Sequence, residues 1–347
     1  MSIKNQPRDR YSRQSMFNGI GEEGQQKLGQ GSAVIIGCGG LGCNIANLLV
    51  RAGVGKVRIV DRDFVEYHNL HRQTLFNEND VTDQLPKAVA AQRHLQEINS
   101  LVKIEGVLAD VNFSNIEKFC SGMDVILDGL DNLETRYLIN DVALKSGIPY
   151  IYGGTISSLG MTMTLIPGVT PCLRCVFPEL TPLGTMPTCE TDGVLGTAPA
   201  IVGALEATEA IKILVGSESI NKKLIILDVW GNSFESVPIA KNPCCPSCNG
   251  KYDFLEKKTT LIKSSLCGQS KSIQVVDTVC KKIVFKELAG HLTDVQNLTY
   301  NDYVLRFEAD KHIITVFSDG RAIITNTLDE SLAEKLYLKY IITNNKN

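Results

Sequence analysis

The stretch Val34–Leu49, "VIIGCGGLGCNIANLL", predicts a strand, a glycine-rich turn and a helix. Its first residues, Val34–Ile36, form an uninterrupted apolar run, which is typical of a strand buried on both faces. The turn holds the glycines of a G-x-G-x-x-G pattern and one more: Gly37, Gly39, Gly40 and Gly42. Apolar residues then recur at helical spacing: Leu41, Ile45, Leu48 and Leu49. Such a turn lets backbone N–H groups approach a phosphate at the helix N-terminus.

The residues after this helix extend the nucleotide-binding pattern. The next predicted strand, "KVRIVD", ends at Asp61. An acidic residue about twenty positions after the glycines can bind a ribose hydroxyl. The pattern fits the pyrophosphate of NAD and the triphosphate of ATP equally well. A glycine-rich turn in an α/β protein that binds no nucleotide is the plainer alternative.

Composition excludes several classes of protein. The 347 residues are 44% hydrophobic and carry a formal net charge of −3, so the chain has no basic footprint for nucleic acid. No apolar run approaches the length of a membrane span, and the polar N-terminus lacks the apolar region of a signal peptide. We therefore expect a cytoplasmic protein. Eleven cysteines in a reducing compartment indicate metal ligation or thiol chemistry.

Predicted strands and helices alternate along residues 33–155, which indicates a doubly wound, mostly parallel α/β sheet of the Rossmann type. After this region the alternation of predicted strands and helices ends. "SSLGMTMTLI" and "LIILDVW" predict antiparallel strands that extend the sheet. A segment rich in Pro, Thr and Gly, residues 178–196, reads as a mobile loop, and residues 200–214 as a helix.

The chain is long enough for one large domain and one small domain. We predict a nucleotide-binding domain over 1–250, a charged linker over 251–265 and a small α+β domain over 266–347. The last region contains a hairpin pattern, "IITVFSDGRAIIT", with Asp-Gly at its turn.

Polar and basic residues occur before the first strand and just after predicted strand ends. The set comprises Arg10, Arg13, Asn69, Arg72, Gln73 and Lys87. Each one taken singly reads as a solvated surface residue. A dehydrogenase needs no such set, whereas a triphosphate requires charge neutralisation while its α-phosphorus is attacked.

The stretch "VILDGLDNLETRYLIN" carries acidic residues where a predicted strand gives way to a helix. Asp128 and Asp131 follow the strand, and Asn132 lies beside them. A carboxylate at this edge can hold Mg²⁺ against ATP oxygens. Asp131 is equally suited to cap the helix, because Glu134 follows at capping-box spacing.

Two Cys-x-x-Cys pairs predict a closed, structural zinc site: Cys172 with Cys175, and Cys245 with Cys248. Cys244 is adjacent to the second pair and could compete as a ligand, but the two-residue spacing favours Cys245. Cys189 lies alone on the predicted loop, where an accidental thiol is the simpler interpretation.

The motifs together resemble the ThiF/MoeB/HesA proteins, bacterial relatives of the ubiquitin-activating enzymes. They occur in the family's order over about residues 8–250: "RYSRQ", the glycine-rich stretch through "HNLHRQTLF", "PKA", "GLDNLETRYLIN", "PCLRC", "TCETDGVLG", "LEATEAIKIL" and "NPCCPSC". The resemblance favours ATP over NAD. It implies adenylation of the C-terminal Gly-Gly carboxylate of a ubiquitin-like sulfur carrier protein, ThiS or MoaD. The acyl adenylate then accepts sulfur and becomes a thiocarboxylate.

The resemblance also implies roles for particular residues. The residues implied to contact the nucleotide are Gly37, Gly39, Gly40, Gly42, Asp61, Asp63, Asn69, Arg72, Gln73, Lys87, Asp131 and Asn132. Asp131 is implied to hold Mg²⁺. Arg13 resembles an arginine that family dimers insert into the neighbouring subunit's site, which implies a homodimer. Cys189 aligns with a loop cysteine that some members use in sulfur or thioester chemistry.

The resemblance implies ATP, magnesium and zinc as cofactors, and a cysteine desulfurase or another persulfide donor as a further partner. The region beyond residue 250 looks like the extension of longer ThiF-type proteins, which favours thiamine biosynthesis over molybdenum cofactor biosynthesis. An NAD-dependent oxidoreductase is the alternative from a different class, and a non-enzymatic scaffold is another. ATP with magnesium should stabilise the fold of an adenylyltransferase, whereas NADH should stabilise that of an NAD-dependent oxidoreductase.

Overall fold

The computed structural model describes residues 10–178, 192–256, 261–266, 271–278, 282–293 and 295–342. The chain divides into two compact units, Met1–Lys257 and Lys258–Asn347. Each unit has its own sheet.

The first unit is built on an eight-stranded sheet in the order β3-β2-β1-β4-β5-β6-β7-β8. Its strands are β1 Ser32–Ile36, β2 Lys56–Asp61, β3 Lys103–Leu108, β4 Val125–Asp128, β5 Tyr150–Ile156, β6 Leu159–Leu165, β7 Leu224–Asp228 and β8 Ser233–Val237. Strands β1 to β5 pair in parallel, and β6 to β8 extend the sheet antiparallel. Every residue of β1 is buried. The predicted mostly parallel sheet with antiparallel additions is therefore confirmed.

Helices connect and cover these strands. They are α1 Ser12–Ser15, α2 Gly21–Gln30, α3 Gly40–Ala52, α4 Glu78–Thr82, α5 Lys87–Ile98, α6 Ile116–Cys120, α7 Leu133–Ser146, α8 Leu173–Val176 and α9 Thr197–Val215. The helix predicted over 200–214 thus begins three residues earlier, at Thr197. Helices α3 and α9 pack against each other, while α7 contributes Tyr137, Ile139 and Val142 to a core cluster with β1 and β4 residues.

Strands β1 and β4 are neighbours, but the chain leaves them in opposite directions across the sheet. It runs from β1 through α3 to β2 on one side, and from β4 through α7 to β5 on the other. The crevice outside the carboxyl ends of two such strands is where open α/β sheets bind ligands. This position brings the predicted glycine turn and the acidic stretch after β4 to one edge.

The backbones after β1 and β4 approach each other too closely for any side chain. Gly37 has φ +93°, and a Cβ on it would lie 2.5 Å from the carbonyl oxygen of Gly129. A Cβ on Gly42 or on Gly129 would collide with the carbonyl of Gly37. The Gly129 N–H donates to the carbonyl of Ile36 at 2.8 Å. Glycine at these positions therefore permits the contact between the two turns.

In its described residues, the second unit is a six-stranded antiparallel sheet in the order β11-β12-β13-β14-β10-β9 with two α-helices and a π-helical segment, Leu338–Ile342. Its elements are β9 Leu261–Leu266, β10 Ser272–Asp277, α10 Phe285–His291, β11 Gln296–Tyr300, β12 Val304–Ala309, β13 His312–Phe317, β14 Ala322–Thr325 and α11 Glu330–Tyr337. The predicted hairpin is β13 with β14. The last part of the stretch predicted as a linker is strand β9, because its backbone pairs with β10 along its whole length.

Within the described ranges, no helix combines the length and the apolar character that a membrane crossing requires.

We expect Gly129→Ala to destabilise the first unit by about 2 kcal/mol, because the added methyl group would overlap backbone rather than a movable side chain. Gly29→Ala is the matched control. Gly29 lies in α2, and a Cβ on it would meet nothing within 4 Å. That variant should be as stable as the parent or slightly more stable, because alanine favours helix. Urea unfolding of both variants tests this, and equal stability of the two would refute the close-contact argument.

Candidate functional site

The N-terminus of α3 faces the crevice without a side-chain cap. Gly39 is the N-cap, no side chain in the described part of the chain accepts from the first turn, and that turn holds no acidic residue. The first N–H groups of a helix have no acceptor within the helix, and they carry partial positive charge. The turn therefore offers backbone donors to an anion.

Two of the predicted residues lie against this turn. A Cβ on Gly40 would be 3.6 Å from Cγ of Arg72, and a Cβ on Gly39 would be 3.9 Å from Nε2 of Gln73. Gln73 is buried, and its Oε1 has no hydrogen-bond partner among the described residues. Buried polar atoms are nearly always paired, so an unpaired amide oxygen beside a glycine turn fits a donor group of a bound nucleotide, such as a ribose hydroxyl.

Asp61 ties the glycine turn to the end of β2. Its Oδ2 accepts from the N–H of Cys38 at 2.5 Å, and its Oδ1 accepts from the N–H of Asp63 at 2.7 Å. Burial raises the pKa of Asp61, although Lys87 acts in the opposite direction. The side chain predicted to meet the ribose therefore also fixes the turn.

Lys87 is a nearly buried cation at the same edge. Its Nζ lies 3.2 Å from Oδ2 of Asp63, and its N–H donates to the carbonyl of Asp63. Burial lowers the pKa of Lys87, but the carboxylates of Asp63 and Asp61 outweigh that effect and raise it overall. The ammonium group is therefore charged at neutral pH and suits a phosphate.

The structure separates the roles of the three polar residues after β4. Asn132 is the N-cap of α7, and its side chain accepts from the N–H of Thr135 at 3.0 Å. The alternative that Asp131 caps this helix is wrong, because Asn132 is one residue closer to the helix and takes the position. Asp131 is exposed and makes no hydrogen bond within the described part of the chain. Its carboxylate is therefore available to a metal ion.

Asp128 is buried, and both of its carboxylate oxygens accept hydrogen bonds from groups of the protein. Its Oδ2 accepts from Nε of Arg136 at 3.0 Å and from the hydroxyl of Tyr150 at 2.6 Å, and its Oδ1 accepts from the N–H of Leu130. Arg136 also donates to the carbonyls of Leu130 and Gly153. This network fixes the turn that carries Asp131.

An ion pair that the sequence analysis missed lies beside these groups. Nη1 of Arg62 is 2.9 Å from Oδ1 of Asp110, and its Nε is 3.7 Å from Oδ1 of Asp63. Burial lowers the pKa of Arg62, but Asp110, Asp63 and, more weakly, Asp131 raise it overall. The sequence signal for a role of Arg62 was its position directly after Asp61, in "DRD".

Asn69 and Arg72 stabilise their own turn. The buried Oδ1 of Asn69 accepts from the N–H of Glu66 at 3.1 Å. The half-buried Arg72 donates from Nη1 to the carbonyl of His68 at 2.8 Å. These contacts shape the segment that carries Gln73 toward the glycine turn.

Arg13 lies far from the glycine turn of its own chain. The arm that carries it packs at the C-terminal end of α3, where Gln14 donates to the carbonyl of Ala52 at 2.9 Å. The 13 residues of α3 span about 20 Å, and the glycine turn is at the opposite end. Arg10 donates to the carbonyl of Ile98 at the same remote end. Cys189 lies outside the described residues.

The four predicted zinc ligands converge. The Sγ atoms of Cys172, Cys175, Cys245 and Cys248 all lie within 4.8 Å of one another. Their close pairs are separated by 3.5 to 3.9 Å. Four thiolates around one zinc ion would be about 3.8 Å apart, so the cluster fits that metal. Cys244 is exposed and is not part of the cluster.

The fold and these two sites define a nucleotide-binding α/β protein with a cluster of four cysteines that could hold a metal ion. Residues 11–247 match the ThiF family. The chain is 41% identical to the sulfur carrier protein ThiS adenylyltransferase of Bacillus subtilis (strain 168), over 96% of this chain and 99% of that protein. The chain therefore belongs to the ThiF family.

Other relatives match mainly the first unit. A SAMP-activating enzyme E1 from Haloferax volcanii is 42% identical over 72% of this chain and 92% of its own length. An adenylyltransferase and sulfurtransferase MOCS3 from Xenopus laevis is 34% identical over 76% of this chain and 58% of its own length. The structure of E. coli MccB with ATP has a TM-score of 0.58 at 24% identity and covers 69% of this chain and 74% of that one, which shows a shared fold.

Proposed function

We propose that this chain adenylates the C-terminal Gly-Gly carboxylate of a ThiS-like sulfur carrier protein, ahead of thiocarboxylate formation for the thiazole of thiamine. As a ThiF-family member it is an adenylyltransferase. The observation that supports a ThiS-type substrate is the match to the Bacillus protein over nearly the full length of both chains. Activation of a MoaD-type carrier is the second candidate, because the MOCS3 relatives share the first unit.

The chemistry needs charge neutralisation and positioning rather than a protein base. A carboxylate is already ionised, so one of its oxygens can attack the α-phosphorus of ATP directly. The bond to the bridging oxygen of the β-phosphate breaks, and pyrophosphate leaves with that electron pair. The acyl adenylate keeps the new C–O–P linkage, which makes its acyl carbon electrophilic. Orientation of the two substrates supplies much of the rate enhancement.

The residues at the crevice divide this task. The uncapped N-terminus of α3 and Lys87 offer positive charge to the phosphates, and Arg72 lies beside the same turn. The side chain of Gln73 lies beside Gly39 and offers an unpaired acceptor oxygen, Oε1, to a donor group of the nucleotide. Asp131 would hold Mg²⁺, which offsets triphosphate charge when bound. The cysteine cluster would hold a structural zinc ion, because four thiolates leave no open coordination position.

We expect one zinc ion per chain in freshly purified, reduced protein. Cys245→Ala should lower the zinc content and destabilise the first unit, because metal binding is coupled to folding. Cys244→Ala is the matched control and should leave the zinc content unchanged. Metal analysis with thermal unfolding checks both. A full zinc content in Cys245→Ala together with a loss in Cys244→Ala would show that the neighbouring cysteine is the ligand.

Adenylation and sulfur transfer should respond to different residues. Asp131→Ala should abolish carrier-dependent ATP–pyrophosphate exchange, because the charge that develops on the phosphates would lose its metal ligand. Cys189→Ser should keep exchange near the parent rate and reduce only thiocarboxylate formation, since the proposed role of this thiol is attack on the acyl carbon or transfer of a persulfide. Mass spectrometry of the carrier measures the second step. Loss of exchange in a folded Cys189→Ser variant would contradict this division of roles.

We propose that Arg13 acts in the site of a second copy of the chain. The support is its placement at the end of α3 that is remote from its own glycine turn. Arg13→Ala and Lys87→Ala should each be inactive alone. Subunit exchange between them should restore about a quarter of the parent activity, because half of the dimers would be hybrids with one complete site. No recovery in mixtures shown to exchange subunits would place Arg13 in its own site or outside catalysis.

A further inference from the structure

Helix α7 carries two consecutive buried polar residues, Asn140 and Asp141. They are 1% and 0% exposed, and the core residues Ile139 and Val142 flank them. Burying an amide and a carboxylate side by side is costly unless both are hydrogen-bonded. The oxygen of Asn140 and both carboxylate oxygens of Asp141 have partners, whereas Nδ2 of Asn140 has none among the described residues. The partners of the three oxygens therefore indicate why the helix keeps this pair.

Asn140 holds the first cysteine pair. Its Oδ1 accepts from the backbone N–H of Leu173 at 2.8 Å, and Leu173 directly follows Cys172. An N–H group can only donate, so this contact fixes the amide with its oxygen toward the knuckle. The backbone between Cys172 and Cys175 is thereby anchored to α7.

Asp141 holds the second cysteine pair. Its Oδ1 accepts from the hydroxyl of Ser247 at 2.8 Å, and Ser247 lies between Cys245 and Cys248. Its Oδ2 accepts from the N–H of Phe254 at 3.0 Å, beyond the knuckle. Ser247 is itself 1% exposed, so the contact is shielded from water. Loss of either partner would leave a buried polar group unpaired.

We infer that Asn140 and Asp141 are positioning residues of the metal centre, which hold the two cysteine knuckles at ligating distance. The knuckles are far apart in sequence, since Cys172 and Cys245 are separated by 73 positions. Adjacent residues of one helix fix both of them, so the helix sets their mutual placement. The inference rests on the proposed zinc site. Asn140 and Asp141 would not touch the metal themselves and would act on it only through the segments that carry the cysteine ligands.

The test is the rate at which the zinc-loaded full chain releases zinc to an excess of a chromophoric chelator, without ATP or carrier protein. Asn140→Ala and Asp141→Ala should release zinc about tenfold faster than the parent, the scale expected when groups that orient metal ligands are removed. Asp141→Asn keeps one acceptor oxygen and should give an intermediate rate.

Asp80→Ala is the matched control for a lost buried carboxylate. Asp80 is also nearly buried and accepts from the N–H of Asn77 and from His94, but it caps α4 and touches no knuckle. It should release zinc at the parent rate. Release from Asn140→Ala and Asp141→Ala at the parent rate, or from Asp80→Ala as fast as from Asp141→Ala, would overturn the inference.

Ser247→Ala keeps the test decisive if Asp141→Ala fails to fold, because it removes only one hydroxyl group. Faster release from this variant supports the inference, and release at the parent rate overturns it. The assay is independent of adenylation, so a chain that is inactive in pyrophosphate exchange still tests the positioning role. Parent protein without bound zinc would overturn both the zinc site and its positioning residues but not the adenylation.

Discussion

The close approach of two backbone turns, one after β1 and one after β4, is the constraint on which the rest of the site depends. Gly37, Gly42 and Gly129 leave no room for a Cβ between them. Because the turns touch, the uncapped end of α3 and the acidic stretch that opens α7 face the same crevice. Asp61 then binds the N–H of Cys38 and joins β2 to the arrangement. A side chain at the contact would separate the donors for phosphate from the carboxylate for a metal ion.

Helix α7 links the crevice to the cluster of four cysteines. At its first turn Arg136 pairs with Asp128, and this buried pair is sustained because Tyr150 and two backbone carbonyls satisfy its remaining groups. One turn further along, Asn140 contacts a cysteine knuckle. The distance from Asn132 to Asp141 is about 14 Å along a helix. A metal ion that fixes the knuckles would therefore also restrain the helix that begins beside Asp131.

Sequence patterns predicted what depends on local spacing. The apolar run of β1, the glycine turn and the two Cys-x-x-Cys pairs each specify a structure through neighbours in the chain. The alternative that Asp131 caps α7 is wrong, but the sequence could not exclude it, because Asp131 and Asn132 are both good caps and only the helix geometry selects Asn132. The pairing of Arg62 with Asp110 joins residues that follow two different strands, so the local pattern "DRD" marks Arg62 but does not reveal its partner. The burial of Glu206 in helix α9 could not be predicted from the sequence either. Its side chain is fully buried, and burial, followed by the nearby Asp128, raises its pKa well above the usual range.

The charge balance at the crevice bears on how a triphosphate could be held. Lys87 is paired with Asp63, and Arg62 is paired with Asp110, so these cations are already largely offset by carboxylates of the same chain. Asp61 and Asp131 add further negative potential nearby. The uncapped end of α3 and Arg72, which donates to a backbone carbonyl rather than to a carboxylate, add positive potential at the glycine turn, and further positive charge brought with the nucleotide or from outside the chain would strengthen its binding. Under the proposed function, a divalent ion on Asp131 would supply the first source, and an arginine from a second copy would supply the other. The position of Arg13, remote from its own crevice and exposed, is consistent with that second source.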